Sequence, residues 1–367
     1  MNTVRQFAWV VVLCGGALML SSPAPLPVAR ADQATEALAK YKEPLDESIQ
    51  RALKYLATQQ EKDGSFASPM KGNTGISSLC VMAFLAAGYT PGTGPYGEII
   101  NRGIDYVLDE QEKNGMLVGR RTSHGPMYSH GISTLLLSEV SGMVDPNRQK
   151  RIDEALPRAL RVILAAQKIK KHRVHSGGWR YQHTSRDSDI SCTGWQLMTL
   201  RSARSNGAQV PRTAINQAVE YVMKCRSKDG GFCYQGRDRN KPGLARTGTG
   251  LLCLELTGKH GQKVTREAGD WILKHLPNKF GGENHFYYGL YYCSQGMFQL
   301  GGKYWETWGR RMYDMMLKYQ NTKKGHKHYG SWPSGRGNEG KAGPAYSTAM
   351  AVLAMSVSYR QLPIYQR

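Results

Sequence analysis

The residues with the clearest capacity for chemistry lie in the stretch GGWRYQHTSRDSDISCTGW, residues 177–195. Two carboxylates, Asp187 and Asp189, sit one residue apart among Arg180, Arg186 and the aromatic side chains of Trp179, Tyr181 and Trp195. A carboxyl held protonated by its surroundings can donate a proton to a substrate. Asp189 is the candidate acid on that reading, with Asp187 beside it. The same spacing suits a turn followed by a helix whose first N–H groups Asp189 would cap. The segment alone supports both.

Further polar and aromatic residues stand immediately ahead of apolar helical runs. The candidate ligand-binding set is Tyr128, His130, Arg186, Arg246, His285, Tyr287, Tyr288 and Tyr346. Arginines beside exposed helix N-termini suit an anion such as a diphosphate or carboxylate. Tyrosine faces suit an extended apolar chain or a carbocation. Each has a plainer counterpart. His130 can hydrogen-bond a neighbouring loop, and Tyr287, Tyr288, Tyr291 and Tyr292 span more than one helical face, so some belong to the core. Thr74, Thr193 and Thr247 suit helix caps or first-turn positions. There is no Cys-x-x-Cys and no His-x-x-x-His, so no metal is expected, and no cofactor is expected either.

The elements that must position these residues come from a repeat. Amphipathic helices ending in Leu-x-x-Gln and a glycine turn recur as ALKYLATQQEKDGSF, GIDYVLDEQEKNGML, ALRVILAAQ, AVEYVMKCRSKDGGF, a degenerate AGDWILKHLPNKFGG and MYDMMLKYQ. Their key residues include Gln59, Gln111, Gln167, Arg226 in place of Gln, and Gln320. A more apolar helix follows each copy, aligned on Gly75, Gly131, Gly194, Gly248, Gly289 and Ser347. One apolar stripe suits an outer helix, and apolar character all round suits a buried inner one. The expected fold is all-α: a six-repeat α/α toroid with inner and outer helix rings.

The N-terminus reads as a secretory signal peptide over residues 1–31. Arg5 is its positive region, Phe7 to Leu20 its apolar run, and Ala29-Arg30-Ala31 its cleavage site. A lead-in over 32–43 and a single toroid over 44–367 follow. The expected location is outside the cytoplasm, periplasmic or secreted, with no integral membrane segment after cleavage. Net charge is +21, which favours an anionic ligand, an acidic polysaccharide or an anionic surface as partner; a solvated basic face is the alternative. No nucleic-acid motif is present, and export argues against such a partner. Of the six cysteines beyond Cys14, Cys225 and Cys233 flank a Gly-Gly turn and form a candidate disulfide. Cys80 and Cys253 suit buried thiols.

The repeated units resemble the prenyltransferase and squalene-cyclase repeat, through Gln167…Gly178-Trp179, Gln320…Gly330-Ser331-Trp332 and Arg226…Gly231-Phe232. The resemblance covers about Pro44 to Tyr359. It implies a toroid in which the segments entering the inner helices form one rim of a central cavity, bringing the candidate residues together. It does not choose a reaction. Asp187-Ser188-Asp189-Ile190 is similar to the Asp-x-Asp-Asp motif of proton-initiated cyclases, but Ile190 replaces the last carboxylate. The chain is also about half the length of a two-toroid cyclase. Zinc-dependent prenyltransfer lacks its Asp-x-Cys spacing, and the thioester class lacks its Gly-Cys-Gly-Glu-Gln. The expectation is an isoprenoid-like or anionic ligand in the cavity. The alternatives are a terpenoid cyclase using Asp189 as acid, and a polysaccharide lyase or glycosidase on the same barrel.

Overall fold

The computed structural model describes residues 37–120, 122, 125–236, 242–283, 285–359 and 362–365. The leader expected over residues 1–31 lies outside the described residues. The outer helices are α1 (Lys42–Thr58), α3 (Gly97–Asp109), α5 (Pro146–Lys168), α7 (Arg212–Lys224), α9 (Lys263–Lys274) and α11 (Gly302–Tyr319). They alternate with the inner helices α2 (Thr74–Ala86), α4 (Met127–Val140), α6 (Ile190–Ser205), α8 (Leu244–Leu256), α10 (Phe286–Leu300) and α12 (Gly343–Met355). Each inner helix packs on the next, and α12 packs back on α2, so the inner ring closes. The fold is an α/α toroid.

Sequence pattern decides which ring a helix joins. Every residue of α2 is buried, as its Thr-Gly-Ile-Ser-Ser-Leu-Cys run requires. In α3, Ile100, Ile104, Val107 and Leu108 are buried while Glu98, Arg102 and Asp109 stay exposed. Small residues let inner helices approach. A Cβ at Gly194 would lie 2.4 Å from the Thr249 methyl, and one at Gly248 2.8 Å from the Cys293 nitrogen.

The glutamines act as clamps between repeats. The Gln167 amide donates to Gly177 O at 2.9 Å in its own turn and to Ala214 O at 2.8 Å on the next outer helix. Gln111 does the same with Gly115 O and Ala155 O. In the first repeat Gln60, not the expected Gln59, holds Gly64 O and Ile99 O. The Gln59 side chain donates to its neighbour Thr58. The turn glycines must be glycine for two reasons. Gly177 has φ 92°, and a Cβ there would meet Gln217 O at 2.2 Å.

A second bond sets the register between turn and inner helix. The turn N–H groups of Phe66, Trp179, Phe232 and Trp332 donate to the hydroxyls of Ser77, Thr193, Thr247 and Thr348. Leu117 N–H donates to His130 Nδ1 at the equivalent place. This corrects the alignment at both ends. The residue equivalent to Gly194 is Ser78 rather than Gly75 in the first repeat, and Ala349 rather than Ser347 in the last. Cys225 and Cys233 are buried thiols and no disulfide links them.

Residues near the C-terminus cross the far end of the ring. Ile364 N–H donates to Glu139 Oε2 at 3.0 Å, and its carbonyl accepts from Arg201 at 2.7 Å. Leu362 and Ile364 are buried there.

Candidate functional site

The inner helices present their N-termini to one end of the ring, where a cavity of about 610 Å³ opens. Its lining is graded. Ile76, Leu79, Ile132 and Trp195, from the first two turns of α2, α4 and α6, supply apolar surface. Asn73, Ser191, Arg246, Glu283, His285, Asn338 and Glu339, at or just before helix starts, supply polar groups. Tyr128, Tyr181, Tyr234, Tyr288 and Tyr346 also line it, and Met70, Leu244 and Ala342 add apolar surface near the helix starts.

Five residues of the expected ligand-binding set therefore meet at this cavity: Tyr128, Arg246, His285, Tyr288 and Tyr346. They are brought together because each precedes or opens an inner helix, and closure of the ring converts that shared position into a shared rim. Three others do not line it. His130 is fully buried, with Nδ1 accepting from Leu117 N–H and Nε2 3.1 Å from Ala159 O. Burial pushes its imidazole down to about 4, so it is a neutral structural bridge at neutral pH. Tyr287 donates to Pro333 O at 2.6 Å and packs against Phe280 and Phe286. Arg186 is exposed on the loop before α6 and does not line the cavity.

Asp189 is not among the residues that line the cavity. It is fully buried and is the N-cap of α6, with Oδ1 accepting from Cys192 N–H at 2.9 Å. Oδ2 stands 3.4 Å from Arg180, which also reaches Asp187 at 3.4 Å. Burial pushes the Asp189 carboxyl up to about 6, opposed by the Cys192 N–H and by Arg180. Asn73 occupies the same cap place on α2, four residues before Ser77 as Asp189 is four before Thr193, and accepts from Ile76 N–H. Asp187 is half-exposed.

The Arg180 guanidinium stacks over Tyr181 at 4.3 Å and Tyr234 at 5.2 Å, and Arg246 lies over Tyr234 at 5.8 Å. The Tyr181 and Tyr234 hydroxyls are in contact. Of these two arginines Arg246 lines the cavity, while Arg180 is paired with Asp187 and Asp189.

Glu339 was not legible as a site residue. It lies in the glycine-rich segment Gly335–Gly340, yet it is buried and lines the cavity. The degenerate fifth repeat explains its role. His285, the N-cap of α10, is left-handed at φ 57° and gives no side-chain cap. Glu339 supplies that cap instead, accepting from Tyr288 N–H at 2.9 Å and Tyr287 N–H at 3.3 Å. The Tyr346 hydroxyl donates to it at 3.4 Å. Burial raises its carboxyl above the usual range, opposed by these hydrogen bonds. An acidic residue between glycines just ahead of the last apolar helix was the one available signal. Tyr234 was missed too, because it follows a turn aromatic rather than entering a helix.

A closed double ring of helices with a polar-rimmed central cavity defines the class of α/α toroid proteins. Residues 26–156 match the prenyltransferase alpha-alpha toroid domain, and residues 125–248 match the squalene-hopene cyclase C-terminal domain. Both matched domains are built from the repeat that the sequence resembles, and together they span residues 26–248. No curated protein matches it. Among solved structures, a type II terpene cyclase from Scytonema is 14% identical, with a TM-score of 0.57 over 87% of this chain and 100% of that one. A family 76 glycoside hydrolase from a bovine Bacteroides thetaiotaomicron strain is 10% identical, with a TM-score of 0.63 over 86% of this chain and 78% of that one. A reducing end xylose-releasing exo-oligoxylanase is 13% identical, with a TM-score of 0.55 over 90% and 95%. At these identities the likeness is one of fold.

Proposed function

We propose that the protein binds an amphiphilic, isoprenoid-like molecule in the central cavity, with its apolar end against Ile76, Leu79, Ile132 and Trp195 and its polar end at the rim. The observation that carries this reading is the graded lining, apolar at the helix turns and polar at their starts. Burying apolar ligand surface contributes about 25 cal/mol per Å² before the costs of association, while the rim groups set orientation. A structure of the Scytonema terpene cyclase contains geranylgeranyl dihydroxybenzoate, an isoprenoid chain with a polar head, as its substrate. Acid-initiated cyclisation is the weaker reading here. Asp189 has one oxygen on Cys192 N–H and the other beside Arg180, and it is not among the residues that line the cavity.

One observation favours a second reading, glycoside hydrolysis: Glu283 and Glu339 both line the cavity, and paired carboxylates serve that reaction. Export from the cytoplasm accompanies either reading and rests on the sequence of residues 1–31.

Native mass spectrometry of the purified chain, followed by titration with geranylgeraniol and with xylo- and manno-oligosaccharides, tests both. Saturable binding of the prenol, weakened about tenfold or more by Trp195→Ala, is the expected result. Release of reducing sugar, abolished by Glu339→Gln, would replace the first reading with the second. Neither binding nor turnover would sink both.

A further inference from the structure

The rim of the cavity carries Arg246, Glu283 and Glu339, and the surroundings of Glu339 say what head group the ligand carries. Some of the aromatic faces are already taken. Arg180 covers Tyr181 and Tyr234, and Arg246 lies over Tyr234. Tyr288, Tyr346 and Trp195 also line the cavity. Among the described residues no arginine or lysine stacks on any of these three.

Their geometry is that of a corner. The Trp195 and Tyr288 rings are 6.3 Å apart and inclined at 72°, which gives two walls meeting nearly at right angles. Trp195 is held by stacking on Tyr291 at 5.6 Å and 10°. Tyr288 is held by its hydroxyl, which donates to Ser191 O at 3.1 Å. Glu339 fixes the third wall, since it accepts from both Tyr288 N–H and the Tyr346 hydroxyl. The groups that hold this carboxylate are neutral donors, the backbone N–H groups of Phe286, Tyr287 and Tyr288 and the Tyr346 phenol. The N-terminus of α10 offsets part of its charge, about half a unit at most.

A negative carboxylate among electron-rich aromatic faces in a water-poor cavity attracts a cation. It does so most for a large, weakly hydrated one, whose desolvation is cheapest. An anionic head would meet Glu339 here.

We propose that the corner formed by Glu339, Tyr288, Tyr346 and Trp195 binds an alkylammonium group, so that the ligand of the cavity is a cationic or zwitterionic amphiphile. This rests on the reading of the cavity as an amphiphile site and adds the charge of the head. The basic surface of the chain as a whole points the other way, towards anions. The cavity corner is therefore a local reversal of the protein's net charge of +21.

The test is isothermal titration calorimetry of the purified chain with decyltrimethylammonium, decanol and decyl sulfate, each below its micellar concentration. The three share a tail and differ in head. The ammonium compound is expected to bind about tenfold or more tighter than decanol, and decyl sulfate weakest. Glu339→Gln keeps an acceptor for Tyr288 N–H but removes the charge; it should collapse the ammonium preference while leaving decanol binding in place. Tyr346→Leu leaves Glu339 charged and capping α10, and should reduce the preference through the lost aromatic wall. Thermal melts followed by circular dichroism check that both variants fold. Equal binding of ammonium and alcohol, or an ammonium preference unchanged in both folded variants, overturns the proposal while leaving the amphiphile reading intact. Failure of all three ligands to bind overturns that reading and the proposal with it.

Discussion

The side-chain amide of Gln320 donates to the carbonyl of Ser48 at 2.8 Å, across a sequence separation of 272 residues. The same amide donates to Gly330 O in its own turn, and Gln320 Oε1 accepts from the Ser48 hydroxyl. This is the clamp found at Gln60, Gln111 and Gln167, used once more to join the last outer helix to the first. A Cβ at Gly330 would lie 2.2 Å from Arg51 O, just as one at Gly64 would lie 2.3 Å from Arg102 O. The seam of the ring is therefore built like its internal joints, and the toroid closes without special end pieces.

Removing a clamp leaves two carbonyls without their donor. Each buried unsatisfied group costs about 1–3 kcal/mol, so Gln320→Ala and Gln60→Ala should each destabilise the fold by about 2–4 kcal/mol in urea unfolding. Gln59→Ala removes a donor to a neighbouring hydroxyl and should stay within about 0.5 kcal/mol of the parent. Equal losses at positions 59 and 60 would mean that the repeat is clamped some other way.

Asp189 is a cap whose ionised form is disfavoured by burial. Its folded carboxyl titrates at about 6 against ~3.9 for an unfolded aspartate. Its contribution is then fully present below ~4 and is lost as pH rises through about 6. Asp189→Asn keeps an acceptor for Cys192 N–H and carries no charge. The stability of the parent relative to this variant should fall between about pH 4 and pH 7. Asp189→Ala should lose about 1–2 kcal/mol at any pH through the missing cap. Parallel curves for parent and Asn variant would refute the buried-cap account.

Glu139 ties residues near the C-terminus to the far end of the ring. Burial pushes its carboxyl up to about 7, opposed by the Ser202 hydroxyl, Ile364 N–H and nearby Arg201. The sign is the same as for Asp189, but the window is higher: stability is lost as pH rises through about 7. Glu139→Gln should flatten that slope. It should also speed hydrogen exchange at the Ile364 amide by about tenfold, because an amide oxygen is a weaker acceptor than a carboxylate. Unchanged exchange at Ile364 would show that Arg201 and the buried Leu362 and Ile364 hold the segment without Glu139.

The sequence by itself determined the alternation of amphipathic and all-apolar helices, the glycine turns and most of the glutamines, because these follow from periodicity and from turn chemistry within about twenty residues. It also placed Tyr128, Arg246, His285, Tyr288 and Tyr346 at helix entries, and ring closure made those entries neighbours. What a side chain faces at a helix entry was decided only by the tertiary structure. A one-residue difference in the turn moves the clamp from Gln59 to Gln60, and a cap position leaves Asp189 outside the cavity lining while Tyr288 is part of it. Glu339 reaches the site only because the fifth repeat lacks a cap of its own and the sixth supplies one. That relation between a missing group in one repeat and a spare carboxylate in another has no signature in local spacing. It arises where two helix ends meet in space.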